Sequence, residues 1–248
     1  MYNPQRSRNL FVTNNTKFKL SRSKIEDFLS CPRCFYLDRR CGTGRPPSYP
    51  FTLNNAVDAL LKKEFDQYRE KGKPHPICVD HNIDVIPFSH PQLNDWRTNL
   101  KGVQYLHDKT NFIITGALDD LWVRPNGELI VVDYKATSTS KEITLEEDYR
   151  QAYKRQMEIY QWLLRRNGFK VSNTGYFVYC NGNTEKDTFT GKLEFKISLL
   201  PYTGNDSWID GKLHEIKACL VKDSIPEFCS TCDYCQYWLA IRKHSQSS

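Results

Sequence analysis

Asp119 lies before a tight turn, and Asp133 and Lys135 lie after it. Two carboxylates and an ammonium at one point are the groups that metal-dependent phosphodiester cleavage requires. Pro125 suits the first central position of a type I turn, Asn126 the second, and Gly127 the left-handed position that follows. Such a three-residue loop pairs Arg124 with Glu128, Leu121 with Val131, Asp119 with Asp133 and Ala117 with Lys135. Side chains alternate along a strand, so 117, 119, 133 and 135 share one face. A two-residue turn at Asn126 and Gly127 would set Asp120 opposite Asp133 instead, and Pro125 argues against it. Opposed like charges destabilise a strand pair. A divalent cation between them, with Lys135 alongside, resolves that conflict. The strands are otherwise apolar on both faces (Leu118, Leu121, Trp122, Val123 and Leu129 to Val132), as in sheets covered on both sides. Acids at the ends of such strands point to a site.

The elements around this hairpin follow from spacing. A helix opens near Leu20, where Ser23 and Glu26 fit a capping box. Residues 42–50 are rich in Gly and Pro and read as a loop. Residues 52–70 form an amphipathic helix on Leu53, Val57, Leu60, Leu61, Phe65 and Tyr68. A short helix is expected over 95–107 and the hairpin over 111–135. Another helix opens at Thr144, with Glu147 completing a capping box, and stops at Asn167-Gly168. Its apolar stripe is Leu145, Tyr149, Ala152, Ile159 and Leu163. Gln156 falls inside that stripe, and Tyr160 lies one turn on. Strands at 175–181 and 188–199, a helix at 206–222 and a Cys-rich tail complete the chain. This order predicts a mixed α/β fold, a sheet flanked by helices.

The chain has 248 residues and a formal charge of +6, a balance that favours a polyanionic partner. It shows no apolar run long enough for a membrane span and no signal-peptide core at Met1 to Arg8. A soluble intracellular protein is expected. The divisions expected are a flexible basic N-terminus (1–19), one domain (20–240) and a tail (241–248). Nine cysteines make a full disulfide framework unlike this chain. Cys31 and Cys34 form C-x-x-C near the start, and Cys229, Cys232 and Cys235 form C-x-x-C-x-x-C near the end. Those spacings suit a metal. Cys41, Cys78, Cys180 and Cys219 are expected in packing roles.

Taken in order, Asp119, Asp133-Tyr134-Lys135 and Gln156-x-x-x-Tyr160 resemble the core of PD-(D/E)XK nucleases of the RecB-like branch. The opening Leu20 to Tyr36, with Cys31-Pro32, and the terminal cysteines resemble its iron–sulfur members of the AddB and CRISPR-associated exonuclease types. The resemblance implies a restriction-endonuclease-like core and a metal-dependent DNA nuclease, an exonuclease of repair, recombination or CRISPR-type processing. It implies Mg²⁺ or Mn²⁺ on Asp119, Asp133 and the Tyr134 carbonyl. Lys135 would stabilise charge, and Gln156 and Tyr160 would contact metal-bound water or the substrate strand. It also implies a [4Fe–4S] cluster on Cys31, Cys229, Cys232 and Cys235, with Cys34 as the alternative to Cys31 and Zn²⁺ as the alternative metal. DNA, as single strands or duplex ends, is the implied partner, with a helicase or recombination protein as a further one.

Two features depart from the family pattern. Asp58 stands where relatives carry a metal-binding His, and a carboxylate suits Mg²⁺ or Mn²⁺. The late cysteines lack the usual C-x2-C-x5-C spacing: position 241 is Ile. A DNA-binding scaffold without cleavage, or a nuclease module that needs a helicase, are the competing readings. The chain has no G-x-x-x-x-G-K-[ST] phosphate loop of its own.

Overall fold

The computed structural model describes residues 5, 7–14, 16–47, 52–147 and 150–245. The first half runs β1 (Phe18–Ser21), α1 (Arg22–Ser30), α2 (Pro32–Arg39), α3 (Thr52–Lys71), α4 (Pro76–Asp80), β2 (Ile86–Pro87), α5 (Leu93–Trp96), β3 (Val103–His107) and β4 (Phe112–Gly116). The second runs β5 (Asp120–Val123), β6 (Leu129–Thr137), α6 (Gln151–Arg166), β7 (Thr174–Gly182), β8 (Phe195–Thr203), α7 (Ile209–Val221) and α8 (Asp233–Ser245). Two compact units result. One comprises Met1–Tyr49, Tyr105–Thr115 and Ser207–Ser248; the other comprises Pro50–Gln104 and Gly116–Asp206. The fold is mixed α/β and restriction-endonuclease-like, as the sequence predicts. Among the described residues no helix is long and apolar enough to cross a membrane.

In the first unit β1 lies parallel to β4, with Leu20 opposite Ile114, in a sheet ordered β1-β4-β3. Phe11, Phe18 and Phe112 meet edge to face, with ring centroids 5.5 to 6.4 Å apart, the geometry aromatic quadrupoles prefer. The described part of the N-terminal stretch is therefore not a free basic arm: its two phenylalanines are core residues. Helix α1 begins directly after β1, with Ser21 at its N-cap, so the expected Ser23–Glu26 box sits two residues too late. Pro32 opens α2, where its missing N–H costs nothing. Helix α8 runs on through Ser245, beyond the expected tail boundary at 241.

The second unit carries the five-stranded sheet β2-β5-β6-β7-β8. Only β6 and β7 run parallel. A parallel pair needs a long crossover, and α6 supplies it. Strand alternation divides the two faces. Trp122, Ile130, Val132 and Tyr134 pack with Leu61 and Phe65 of α3, and with Cys78, Val178, Cys180 and Leu199. Asp133, of opposite parity, meets Gln156 of α6. Cys78 and Cys180 are thus packing residues, and Cys219 is buried in the first unit, whereas Cys41 is exposed.

The hairpin turn forms as its residues dictate. Arg124 N–H donates to the Glu128 carbonyl (3.0 Å), and Gly127 adopts φ 78°. Leu121 stands opposite Val131, the register of the three-residue loop. The ladder ends at the Asp120–Val132 pair, so the expected 119–133 and 117–135 pairs do not join it. Asp119 instead turns its carboxylate onto the Tyr134 N–H (2.8 Å).

Three other expectations shift. Helix α6 starts at Gln151, not Thr144, whose hydroxyl only accepts from Glu146 N–H in a local turn; Tyr149 of the expected stripe lies outside the described residues. The stop at Asn167-Gly168 holds, with Gly168 at φ 87°. The 95–107 stretch splits into α5 and β3 at Gly102, where φ is 65°. Strand β8 starts at Phe195 because Thr190 and Gly191 take left-handed turn conformations.

Asp120 is wholly buried. Its carboxylate accepts from Arg69, from Arg97 (2.9 Å), from the Tyr134 hydroxyl (2.8 Å) and from Leu121 N–H (2.8 Å). Arg97 also clamps Asp66 with two contacts (2.9 and 3.0 Å) and donates through Nε to the Asp119 carbonyl (3.0 Å). Burial pushes the Asp120 carboxyl up, against the pull of Arg97 and Arg69. Burial and the Asp120 charge hold the Tyr134 phenol well above its ordinary range, so it remains a donor. Asp120→Ala strands two buried guanidiniums, and urea unfolding should show a loss of about 3–5 kcal/mol. A loss within 1 kcal/mol, on the order of a surface substitution, would remove this network from the account.

Candidate active site and cysteine cluster

The second unit brings Asp58, Asp119, Asp133, Lys135, Gln156 and Tyr160 together. Asp133, on the buried strand β6, is fully enclosed. Its Oδ1 accepts from Gln156 Nε2 (2.7 Å), and its Oδ2 pairs with Lys135 Nζ. Gln156 Nε2 also lies 3.0 Å from the Tyr160 hydroxyl. The Gln–Tyr pair, one helical turn apart on α6, therefore fixes Asp133. The expected contact of that pair with metal-bound water or substrate is replaced here by contact with Asp133. Gly116 makes room for it: a Cβ there would meet Tyr160 Cε1 at 2.7 Å.

Lys135 feels opposing effects. Burial lowers its ammonium, but Asp133 and Asp119 outweigh that and hold it above the ordinary lysine value. It stays charged, and its Nζ lies 4.4 Å from the Tyr153 ring centroid, a cation–π contact. That chemistry suits stabilising an anion rather than taking a proton.

Asp58 reaches the site from α3. Lys62 Nζ bridges it (2.8 Å) to Asp119 (3.4 Å). Burial, and then the Asp119 charge, raise the Asp58 carboxyl, against the pull of Lys62. Three carboxylates are thus balanced by two ammoniums. A net negative cluster of oxygen donors is the donor set of a hard divalent cation, so the residues fit Mg²⁺ or Mn²⁺. Among the described residues the carboxylates do not gather as tightly as the cysteines of the first unit do.

Sequence reasoning missed Lys62, Arg97 and Asp120. Lys62 had a readable signal, since it lies four residues after Asp58 on a helix and faces it. Arg97 and Asp120 had none, because their pairing depends on distant segments. Arg150 is buried and reaches back to the Thr144 carbonyl.

In the first unit, Cys31, Cys34, Cys232 and Cys235 converge, all buried, with their sulfurs within 4.8 Å of one another. A four-Cys group of this kind can hold a metal. Cys34 joins Cys31 rather than replacing it. Cys229, expected as a ligand, packs against the group but stays outside it; its Sγ lies 3.3 Å from Thr231 Oγ1 and 3.8 Å from the Ser30 carbonyl. The C-x-x-C turn of Cys232 and Cys235 already presents two sulfurs to one point, and Cys229 precedes that turn.

The sequence pattern of the PD-(D/E)XK nuclease superfamily matches residues 19–239. The chain belongs to this superfamily. No curated protein matches it by sequence. A solved structure, "Crystal structure of SSO0001", aligns over 92% of this chain and 86% of that one, at 16% identity and a TM-score of 0.36.

Gly116→Ala should drive Tyr160 off Gln156 and loosen Asp133. Overpacking of this kind costs about 1–3 kcal/mol, readable by urea unfolding. An unchanged midpoint would mean that Tyr160 can move freely.

Proposed function

We propose that this chain is a Mg²⁺- or Mn²⁺-dependent deoxyribonuclease of the RecB-like branch, an exonuclease that acts on single strands or duplex ends during DNA repair, recombination or CRISPR-type processing. One observation carries the reading. A fully buried Asp133 is held by Gln156 and Lys135 beside Asp119. A buried carboxylate with a dedicated amide and ammonium is expensive, and superfamily chemistry supplies the reason for it.

In this reading Asp119, Asp133, the Tyr134 carbonyl and Asp58 hold the cation. When bound, it activates water and stabilises charge on the phosphate. Gln156 and Tyr160 keep Asp133 in a single orientation. Tyr134 N–H does the same for Asp119. Lys135 remains protonated and faces the charge that develops on the phosphate. The excess positive charge of +6 favours a polyanion. A helicase or recombination partner would supply single strands.

The rival is a DNA-binding scaffold that does not cut. Lys62 favours it, because its ammonium bridges two of the presumed ligands. The test is cleavage of labelled single- and double-stranded DNA with Mg²⁺, Mn²⁺ or EDTA. Lys135→Ala and Asp133→Asn should each lower metal-dependent cleavage by about 100-fold or more, with circular dichroism showing each variant still folded at the assay temperature. Cleavage undiminished in both would refute these assignments. DNA binding without cleavage by the wild-type chain would leave the scaffold and the helicase-dependent module, and adding a helicase separates those two.

A further inference from the structure

We infer that Cys31, Cys34, Cys232 and Cys235 hold one tetrahedral Zn²⁺, not the [4Fe–4S] cluster that the family resemblance implies. Sulfur spacing carries the inference. Four thiolates about 2.3 Å from one ion stand about 3.8 Å apart at the corners of a tetrahedron. Here Cys31 Sγ lies 3.7 Å from Cys235 Sγ, and Cys34 Sγ lies 3.7 Å from Cys232 Sγ. All four sulfurs fall within 4.8 Å of one another.

An iron–sulfur cluster cannot be fitted into that spacing. In a four-iron cube each thiolate binds a different iron and points outward from its own corner. The sulfurs are then separated by an iron–iron edge plus the outward reach of two bonds. A two-iron cluster spreads its two thiolate pairs in the same way. Either would push these sulfurs well beyond the 4.8 Å that encloses them. The ligand spacing agrees: two C-x-x-C turns, one from each end of the chain, are the usual frame of a closed structural zinc site.

The surroundings also fit. Cys34 N–H points at the Cys31 sulfur (3.4 Å). Arg45 Nη2 lies 3.7 Å from Cys232 Sγ. Four thiolates and one dication leave a net charge of −2, and the Arg45 guanidinium offsets part of it. Cys229 is the cysteine left over from the terminal C-x-x-C-x-x-C, and it lies at the rim of the group.

The test counts metal and is independent of cleavage. The full chain is purified anaerobically from iron-supplemented cells, and zinc, iron and acid-labile sulfide are measured by mass spectrometry and colorimetry. One zinc per chain, no stoichiometric iron and no broad visible absorption are expected. Zinc should persist in Cys229→Ser and in Asp133→Asn, which separates it from the active-site cation, and be lost in Cys34→Ser. Cobalt exchanged into the site should give the intense visible bands of a tetrahedral thiolate complex. Iron with sulfide, a single iron, no metal, or zinc lost in Cys229→Ser would each overturn the proposal. If Cys34→Ser fails to fold, the wild-type and Cys229→Ser counts still decide it.

Discussion

A buried carboxylate is tolerable only when the groups around it replace the water it has lost. Asp120 meets that condition with two guanidiniums, a phenol and a backbone amide. The same groups touch the site. Arg97 holds the Asp119 carbonyl, and Tyr134, which serves Asp120 through its side chain, serves Asp119 through its N–H. Neutralising one acid inside the core thereby fixes the backbone that carries the acids at the strand ends. The adjacent pair Asp119-Asp120 divides between two tasks because Asp120 opens β5 and is buried, whereas Asp119 lies just outside the ladder and turns its carboxylate onto the Tyr134 N–H. One acid organises the interior and the other faces the candidate site.

The site is built on charge compensation. Asp58, Asp119 and Asp133 are held by Lys62 and Lys135. Each ammonium limits the repulsion among carboxylates that a cation would otherwise have to relieve, so the site can stay assembled without a permanent ion. Lys135 and Lys62 are not equivalent. Lys135 pairs with Asp133 and lies over the Tyr153 ring, whereas Lys62 comes from α3 and joins two carboxylates. A residue that bridges two ligands competes with a cation. A residue that flanks one ligand works with it.

The cysteines solve a separate problem in the first unit. The two C-x-x-C turns lie some two hundred residues apart in sequence (|i−j| is 204 for Cys31 and Cys235). Closing so long a loop has an entropic cost that rises slowly with length. An ion shared by the four cysteines would offset it in the folded state and tie the two turns together. The aromatic contacts of Phe11, Phe18 and Phe112 add to the same unit.

Local chemistry made part of this protein legible from its residues. Pro125, Asn126 and Gly127 specify a three-residue loop, and that loop places Leu121 opposite Val131. Helix α3 and the stop at Gly168 follow from apolar spacing and a left-handed glycine. Helical period puts Gln156 and Tyr160 one turn apart, and the turn residues bring Asp119 near Asp133 and Lys135; that the two groups meet is implied by the family resemblance rather than by any short-range rule. Tertiary structure decided what depends on distant partners. It capped the ladder at Asp120, gave Asp120 to Arg69 and Arg97, turned Gln156 onto Asp133 and set Lys62 between Asp58 and Asp119. It also chose Cys34 over Cys229, since spacing shows which cysteines form turns but not which turns meet. A residue's local conformation is written in its neighbours, whereas the neutralisation of a buried charge is supplied by whichever segment the fold brings to it.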